Sequence, residues 1–191
     1  WHKFFQRQEV MWKLPETYML QSIGNFINLT CGYQVFYNKT KRSKLFRMYD
    51  FFLMYMDGRS THQPYYVKNV TNYMIFLGTH RKPSLPATAR RDILFSDMES
   101  CMVIQNPKNS KENFDFSLRT ASMTSHSVIG LQDKRSPPLM SGLDKVCNLM
   151  VTKNEFSTPP GKCLEKFKKH CGSQVYNYTI NDCPYPEKKT Q

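Results

Sequence analysis

The sequence has no long apolar run, so it contains no stretch able to form a helical membrane span. It has no Cys-x-x-Cys and no paired histidines at the spacing that holds zinc. His2, His62, His80, His126 and His170 are scattered, and the neighbours Ser125-His126 stand outside any nucleophile pattern. A glycine-rich phosphate loop is missing, as is a nucleic-acid-binding motif. These absences argue against an enzyme, a metalloprotein and a nucleic-acid binder. A haem carrier would need a histidine ligand, and nothing selects one of the five; no cofactor is implied. No signal peptide is visible, and the start at Trp1 is read as a mature or trimmed form.

What is there suits a secreted domain. The 191 residues suffice for one domain with a real core, and residues 1–191 are taken as that domain. Six cysteines are an even number. Sequons begin at Asn28, Asn38, Asn69 and Asn177. Cysteines and sequons together point to an oxidising, extracellular setting and a glycoprotein. The net charge is +12, and its basic residues are spread along the chain with denser groups at 39–47, 81–91 and 162–169. Heparin, a membrane surface or an anionic ligand are possible partners for it, but most of this charge reads as a solvated surface.

Half of the cysteines lie after residue 160. Cys163, Phe167 and Cys171 recur every four residues and share one face of a helix, with lysines opposite. Pro159 and Pro160 suit its first turn and Gly172 its end. Helical rise puts Cys163 and Cys171 about 12 Å apart. A disulfide requires Cα atoms within about 7 Å. Each cysteine must therefore reach elsewhere and pin the helix at both ends. Residues 175–180 then alternate like a short strand ahead of Cys183.

Upstream, Trp1, Phe4, Phe5, Met11 and Trp12 stand near helical spacing, and Pro15 ends the run, which predicts a short N-terminal lid helix. Strand-like segments follow at 16–23, 29–37, 44–56, 64–77, 92–96, 102–105, 114–120 and 146–152. Asp57-Gly58 is a hairpin signal. Residues 121–145, rich in Ser, Thr and Gly and holding Pro137-Pro138, read as a long loop. Short strands followed by one helix predict an antiparallel barrel or sandwich; a closed barrel leaves an interior able to hold one small ligand.

The 64–77 segment tests which residues line that interior. A glycan on Asn69 would point it outward, and alternation would then turn Tyr66, Lys68, Val70, Asn72, Met74 and Phe76 inward. A buried Lys68 needs either an acidic neighbour, such as Asp50 on the third strand, or an anionic ligand; at the rim it would instead reach water. Lys68, Tyr66, Val70, Met74 and Phe76, with Phe52 and Asp50 of the third strand, form the expected ligand-binding set.

Asp92-Ile-Leu-Phe-Ser-Asp-Met-Glu-Ser-Cys101-Met-Val-Ile104 resembles a strand-and-cysteine segment of tick salivary lipocalins, the family of the histamine-binding proteins. Cys163-Leu-Glu-Lys-Phe167 resembles their C-terminal helix, Asp182-Cys183 their terminal cysteine, and Leu29-Thr-Cys31 their second strand. Asn69-Val-Thr71 falls in a similar Val-Thr stretch. The similarity runs in order over most of the chain. It implies an eight-stranded antiparallel lipocalin barrel with an N-terminal helix and a C-terminal helix packed outside. It also implies the bridges Cys31–Cys183 and Cys101–Cys163, which leaves Cys147–Cys171.

The sequence departs from the amine-binding members of that family. They carry Asp directly after the cysteine matching Cys101, where this chain has Met102. The nearest match to their Glu-Leu-Trp or Glu-Leu-Tyr is Asn148-Leu149-Met150, much further along. An ungapped match places Lys68 where histamine binders have an inward Glu. An ammonium ligand needs carboxylates in place of its water, so histamine and serotonin are disfavoured. The resemblance implies instead a secreted, monomeric scavenger of a small hydrophobic host mediator, an acidic lipid or a sterol. A host immune protein engaged through the 121–145 loop is the alternative.

Overall fold

Alternating side chains and tight turns wind the chain into an up-and-down barrel. The computed structural model describes residues 7–24, 29–39, 41, 46–71, 73–107, 146–179 and 183. Helix α1 (Arg7–Lys13) precedes β1 (Glu16–Ile23), β2 (Leu29–Lys39), β3 (Phe46–Tyr55), β4 (Ser60–Thr71), β5 (Met74–Gly78), β6 (Ala89–Ser96), β7 (Cys101–Asn106) and β8 (Val146–Val151). Each strand pairs antiparallel with the next, and β1 pairs with both β2 and β8, which closes an eight-stranded barrel. Closure leaves none of the eight strands as a free edge. Helix α2 (Gly161–Cys171) packs outside against β6, β7 and β8, and the two-residue β9 (Tyr176–Asn177) adds to β1.

The Asp57-Gly58 hairpin forms as expected. Gly58 takes φ 85°, the left-handed region that glycine enters without steric cost, and Tyr55 N–H donates to the Arg59 carbonyl at 2.9 Å. The expected 64–77 strand is instead two strands, β4 and β5, folded back on each other. Eight strands are thereby reached without 114–120, because β7 pairs directly with β8 from Cys101↔Val151 to Asn106↔Val146. Segment 114–120 and the 121–145 loop lie outside the described residues.

Helix α2 behaves as its pattern suggests, whereas of the expected N-terminal pattern Trp1, Phe4 and Phe5 lie outside the described residues, Met11 is buried and Trp12 is exposed. In α1, Val10 and Met11 are fully buried, as is Leu14 just after it, while exposed Trp12 carries the Lys39 ammonium over its ring. In α2, Cys163 and Phe167 are buried, and Pro160 caps the start with its carbonyl accepting from Cys163 and Leu164. Gly172 ends it at φ 118°. The bridges are Cys31–Cys183, Cys101–Cys163 and Cys147–Cys171, with Cα separations of 5.1, 6.3 and 6.1 Å. Two of them fasten the two ends of α2 to β7 and β8.

Asp97 organises the turn between β6 and β7. Its Oδ1 accepts from the backbone N–H groups of Glu99, Ser100 and Cys101 at 3.0, 2.8 and 2.9 Å, and Ser100 Oγ donates to Oδ2. Burial pushes the carboxyl pKa up, but these bonds together outweigh it and leave the carboxyl below its ordinary value. A depressed folded pKa contributes stability that is complete above the unfolded value and drains away as pH falls through the folded one. Asp97→Asn is expected to cost about 1–3 kcal/mol near neutrality and to flatten the acid limb of a Tm-versus-pH curve below about pH 4. Parallel acid limbs for the two proteins would remove Asp97 from that role.

Candidate functional site: the barrel interior

The two bridges to α2 establish which face of each strand is inside. Cys101 and Cys147 point out to the helix, so Met102 and Ile104 on β7, and Asn148 and Met150 on β8, point in. Cross-strand register carries the assignment to Ile93 of β6, opposite Ile104, and to Ile75 of β5, opposite Arg91. These inward side chains are closed off from solvent: Ile75 and Met102 are 0% exposed, Asn148 and Ile104 1%.

One layer of this interior is polar and internally bonded. Gln34 of β2 is fully buried; its Nε2 donates to Thr17 Oγ1 at 3.0 Å and reaches Met102 Sδ at 3.0 Å. Tyr49 of β3 donates its hydroxyl to Gln34 Oε1 at 2.9 Å. Beside it stands Arg91 of β6, 4% exposed, its guanidinium carbon 5.9 Å from the Tyr49 ring centre and 5.8 Å from that of Tyr65. The two rings are 6.4 Å apart. Arg91 Nη1 donates to the Arg90 carbonyl at 3.1 Å. Met19 joins Met102 and Met150 inside, lying against Gly32, where a Cβ would sit 2.8 Å from Met19 Cε.

The expected ligand-binding set does not assemble here. Register runs Val67↔Leu77 and then Asn69↔Phe76, so Lys68 is the extra residue of a bulge. The bulge breaks the alternation that would have turned Lys68 inward when Asn69 points out. Asn69 is exposed, and the Lys68 stem lies over Gly78, with its Nζ donating to the Lys82 carbonyl at 2.7 Å in an exposed position. Beyond the bulge the parity is reset, so Met74 and Phe76 are half-buried on the opposite face from fully buried Ile75 and Leu77. Tyr66 pairs with Gly78 on the outer face next to inward Tyr65. Val70, opposite Ile75, is the one member on the inner face.

Asp50 and Phe52 also lie outside, flanking inward Tyr49, Phe51 and Leu53 in the alternation. Phe52 stacks between Tyr33 and His62 at 4.4 and 4.2 Å. Asp50 accepts from the Tyr37 hydroxyl at 2.5 Å and has His62 Nε2 at 3.1 Å as an ion-pair neighbour. Burial, then the bond to Asp50, raises the Tyr37 pKa. The other buried acid among the described residues, Asp92, is on the outer face with Arg90 Nε at 3.0 Å.

Arg91 was hidden inside the 81–91 basic group, which composition alone assigns to the surface. The available signal was parity: Arg91 stands two residues before Ile93 in the segment Ala89-Arg-Arg-Asp-Ile-Leu-Phe95 and so shares its face. A shallow cleft beside the Cys31–Cys183 bridge, lined by Tyr18, Met19, Gly32 and Phe156 among others, encloses about 0 Å³ and is no ligand pocket. Asp97, Cys101 and Cys163 also cluster, but both sulfurs are in a disulfide and neither is a thiolate ligand.

Comparison with known proteins fits this architecture. The family model described as tick histamine binding protein matches residues 27–185. The chain belongs to the tick histamine-binding protein family. No curated protein sequence matches it significantly. Among solved structures, the allergen Per a 4 from cockroaches aligns over 93% of this chain and 90% of its own, at 6% identity and TM-score 0.52, and shares the fold. Japanin from Rhipicephalus appendiculatus, solved bound to cholesterol, aligns over 91% and 93% at 12% identity and TM-score 0.48. The siderocalin Ex-FABP aligns over 84% and 83% at 10% identity and TM-score 0.45.

Within this member of the histamine-binding protein family, two of the departures noted in the sequence, Met102 and Asn148, fall on the inner face, and the third, Lys68, does not. Met102 is fully buried there and takes a hydrogen bond from Gln34. Asn148, an uncharged amide, sits opposite Ile104. The buried carboxylates Asp50 and Asp92 serve outer-face partners.

Proposed function

We propose that this chain is a secreted lipocalin that sequesters a small hydrophobic host mediator in its barrel and so blunts host inflammation or immunity, acting as a monomeric binding protein rather than an enzyme. The mediator is an eicosanoid, fatty acid or sterol. The observation that supports the reading is the polar layer on the inner face of a closed barrel: Thr17, Gln34, Tyr49 and Arg91. A core that served stability alone would be filled with apolar side chains, because burying a guanidinium costs several kcal/mol. Inward Met19, Met102 and Met150 are unbranched and polarisable, and re-pack around an apolar guest at low cost. Three disulfides suit an extracellular protein. Asn38, Asn69 and Asn177 are exposed and are the proposed glycan sites within the described residues; Asn28 lies outside them.

The family's name points to histamine, but the inner face argues against it here. Met102 stands where the amine binders carry Asp, and an ammonium needs carboxylates in place of its water. Native mass spectrometry of protein secreted from eukaryotic cells tests the reading. The expected spectrum shows a one-to-one adduct with a fatty acid, eicosanoid or cholesterol and none with histamine. A histamine adduct, or no adduct with any of these lipids, would overturn it.

A further inference from the structure

We infer that the outward face of α2 is a docking site for a sulfated glycosaminoglycan, independent of any ligand in the barrel. Lys162, Lys166 and Lys169 recur at i, i+4 and i+7, so their side chains share one stripe along the helix. Helical rise spreads that stripe over about 10 Å. Lys168 and His170 flank it. Among the described residues, no carboxylate forms an ion pair with any of these four lysines. Glu165 is the one acidic residue of the helix. Two acids of the underlying β6 region are committed elsewhere: Asp97 accepts three backbone N–H groups, and Asp92 faces Arg90.

The Nζ atoms of Lys162 and Lys166 stand 5.8 and 5.9 Å from the ring centre of Phe95 on β6. An aromatic face holds a cation nearby without neutralising it. Burial, then the neighbouring Lys166 and Lys169 ammoniums, hold the His170 pKa below its ordinary value. The two lysine contributions mark a positive field at the end of the stripe. Bridges at Cys163 and Cys171 fix the helix, so little ordering is required when a long anion settles on it. The chemistry of the exposed positions selects the occupant. They are Gly161, Lys162, Glu165, Lys168, Lys169 and His170, with no large apolar side chain among them. A protein partner would need a buried aromatic or aliphatic anchor, and a membrane surface an apolar face to insert. The apolar face of α2, with Cys163 and Phe167, is already buried against the barrel. A hydrophilic, linear polyanion needs neither. In the extracellular setting that three disulfides suit, a sulfated polysaccharide supplies that chemistry.

The test measures binding of the full chain, secreted from eukaryotic cells, to immobilised heparin at about physiological ionic strength. Lys162→Gln/Lys166→Gln/Lys169→Gln is compared with Lys13→Gln/Lys41→Gln/Arg47→Gln, which removes the same charge from exposed positions around α1 and β3. Wild type and the second variant are expected to bind nearly alike, and the α2 variant at least about tenfold more weakly. The α2 variant should also lose affinity less steeply with added salt, because fewer counterions are released on binding. Desulfated heparin, which keeps its carboxylates, should bind wild type more weakly than heparin does. Equal weakening in the two triple variants would mean that net charge alone attracts the polymer, and it overturns the site. So does an absence of heparin binding by wild type. Binding to phosphatidylserine vesicles that exceeds binding to heparin, and is lost with the α2 lysines, overturns the polysaccharide in favour of a membrane. If the triple α2 variant does not fold, Lys162→Gln/Lys169→Gln, at two exposed positions, makes the same comparison.

Discussion

Removing the Cys31–Cys183 bridge as the double variant Cys31→Ala/Cys183→Ala is expected to destabilise the protein more than removing either other bridge. The three bridges close loops with sequence separations of 152, 62 and 24. A crosslink stabilises chiefly by denying the unfolded chain its freedom, and the effect grows with the logarithm of loop length. The chain-entropy model assigns about 5 kcal/mol to the longest loop, about 4 to Cys101–Cys163 and about 3.5 to Cys147–Cys171. Cys31 and Cys183 are also 3% and 5% exposed, so their loss removes buried contacts as well. Urea unfolding of the three double variants measures the order directly. If the Cys147–Cys171 variant were the least stable, anchoring of α2, rather than loop entropy, would dominate.

Phe167→Ala is expected to cost about 3–5 kcal/mol. Phe167 is 0% exposed at the centre of the α2 face that meets β6, β7 and β8. Cys163 and Cys171 hold the helix at both ends, four residues to either side. A helix pinned in this way cannot settle into the cavity left by the ring, and incomplete collapse is what drives such costs upward. The inner face lies on the other side of β7 and β8, so ligand selectivity should survive in the fraction that folds. Equilibrium unfolding in urea checks the magnitude; a loss under about 1 kcal/mol would mean that α2 relaxes despite its two bridges.

The C-terminal helix and the Asp57-Gly58 turn were legible because their signals are local. Four-residue spacing of Cys163, Phe167 and Cys171 required a helical face, and the distance along that helix ruled out a bridge between its ends. Gly58 and Gly172 marked a turn and a helix end by their freedom at positive φ. The pairing of the six cysteines was not local, and came from the family resemblance before the structure agreed with it.

The interior was misread for an equally definite reason. Strand alternation assigns faces by parity, and parity holds only while the register is unbroken. The bulge at Lys68 and the chain reversal before Met74 each interrupt it, so the residues taken as inward from Tyr66 to Phe76 are mostly outward. Nothing in the string Tyr-Val-Lys68-Asn-Val announces a bulge, because a bulge is a property of the register with the partner strand. By itself, the sequence determined the alternation, the helix faces and the turn positions, since these depend on neighbours a few residues apart. Only the tertiary structure decided which cation faces inward, because that depends on register accumulated around eight strands, and it placed Arg91 inside and Lys68 outside.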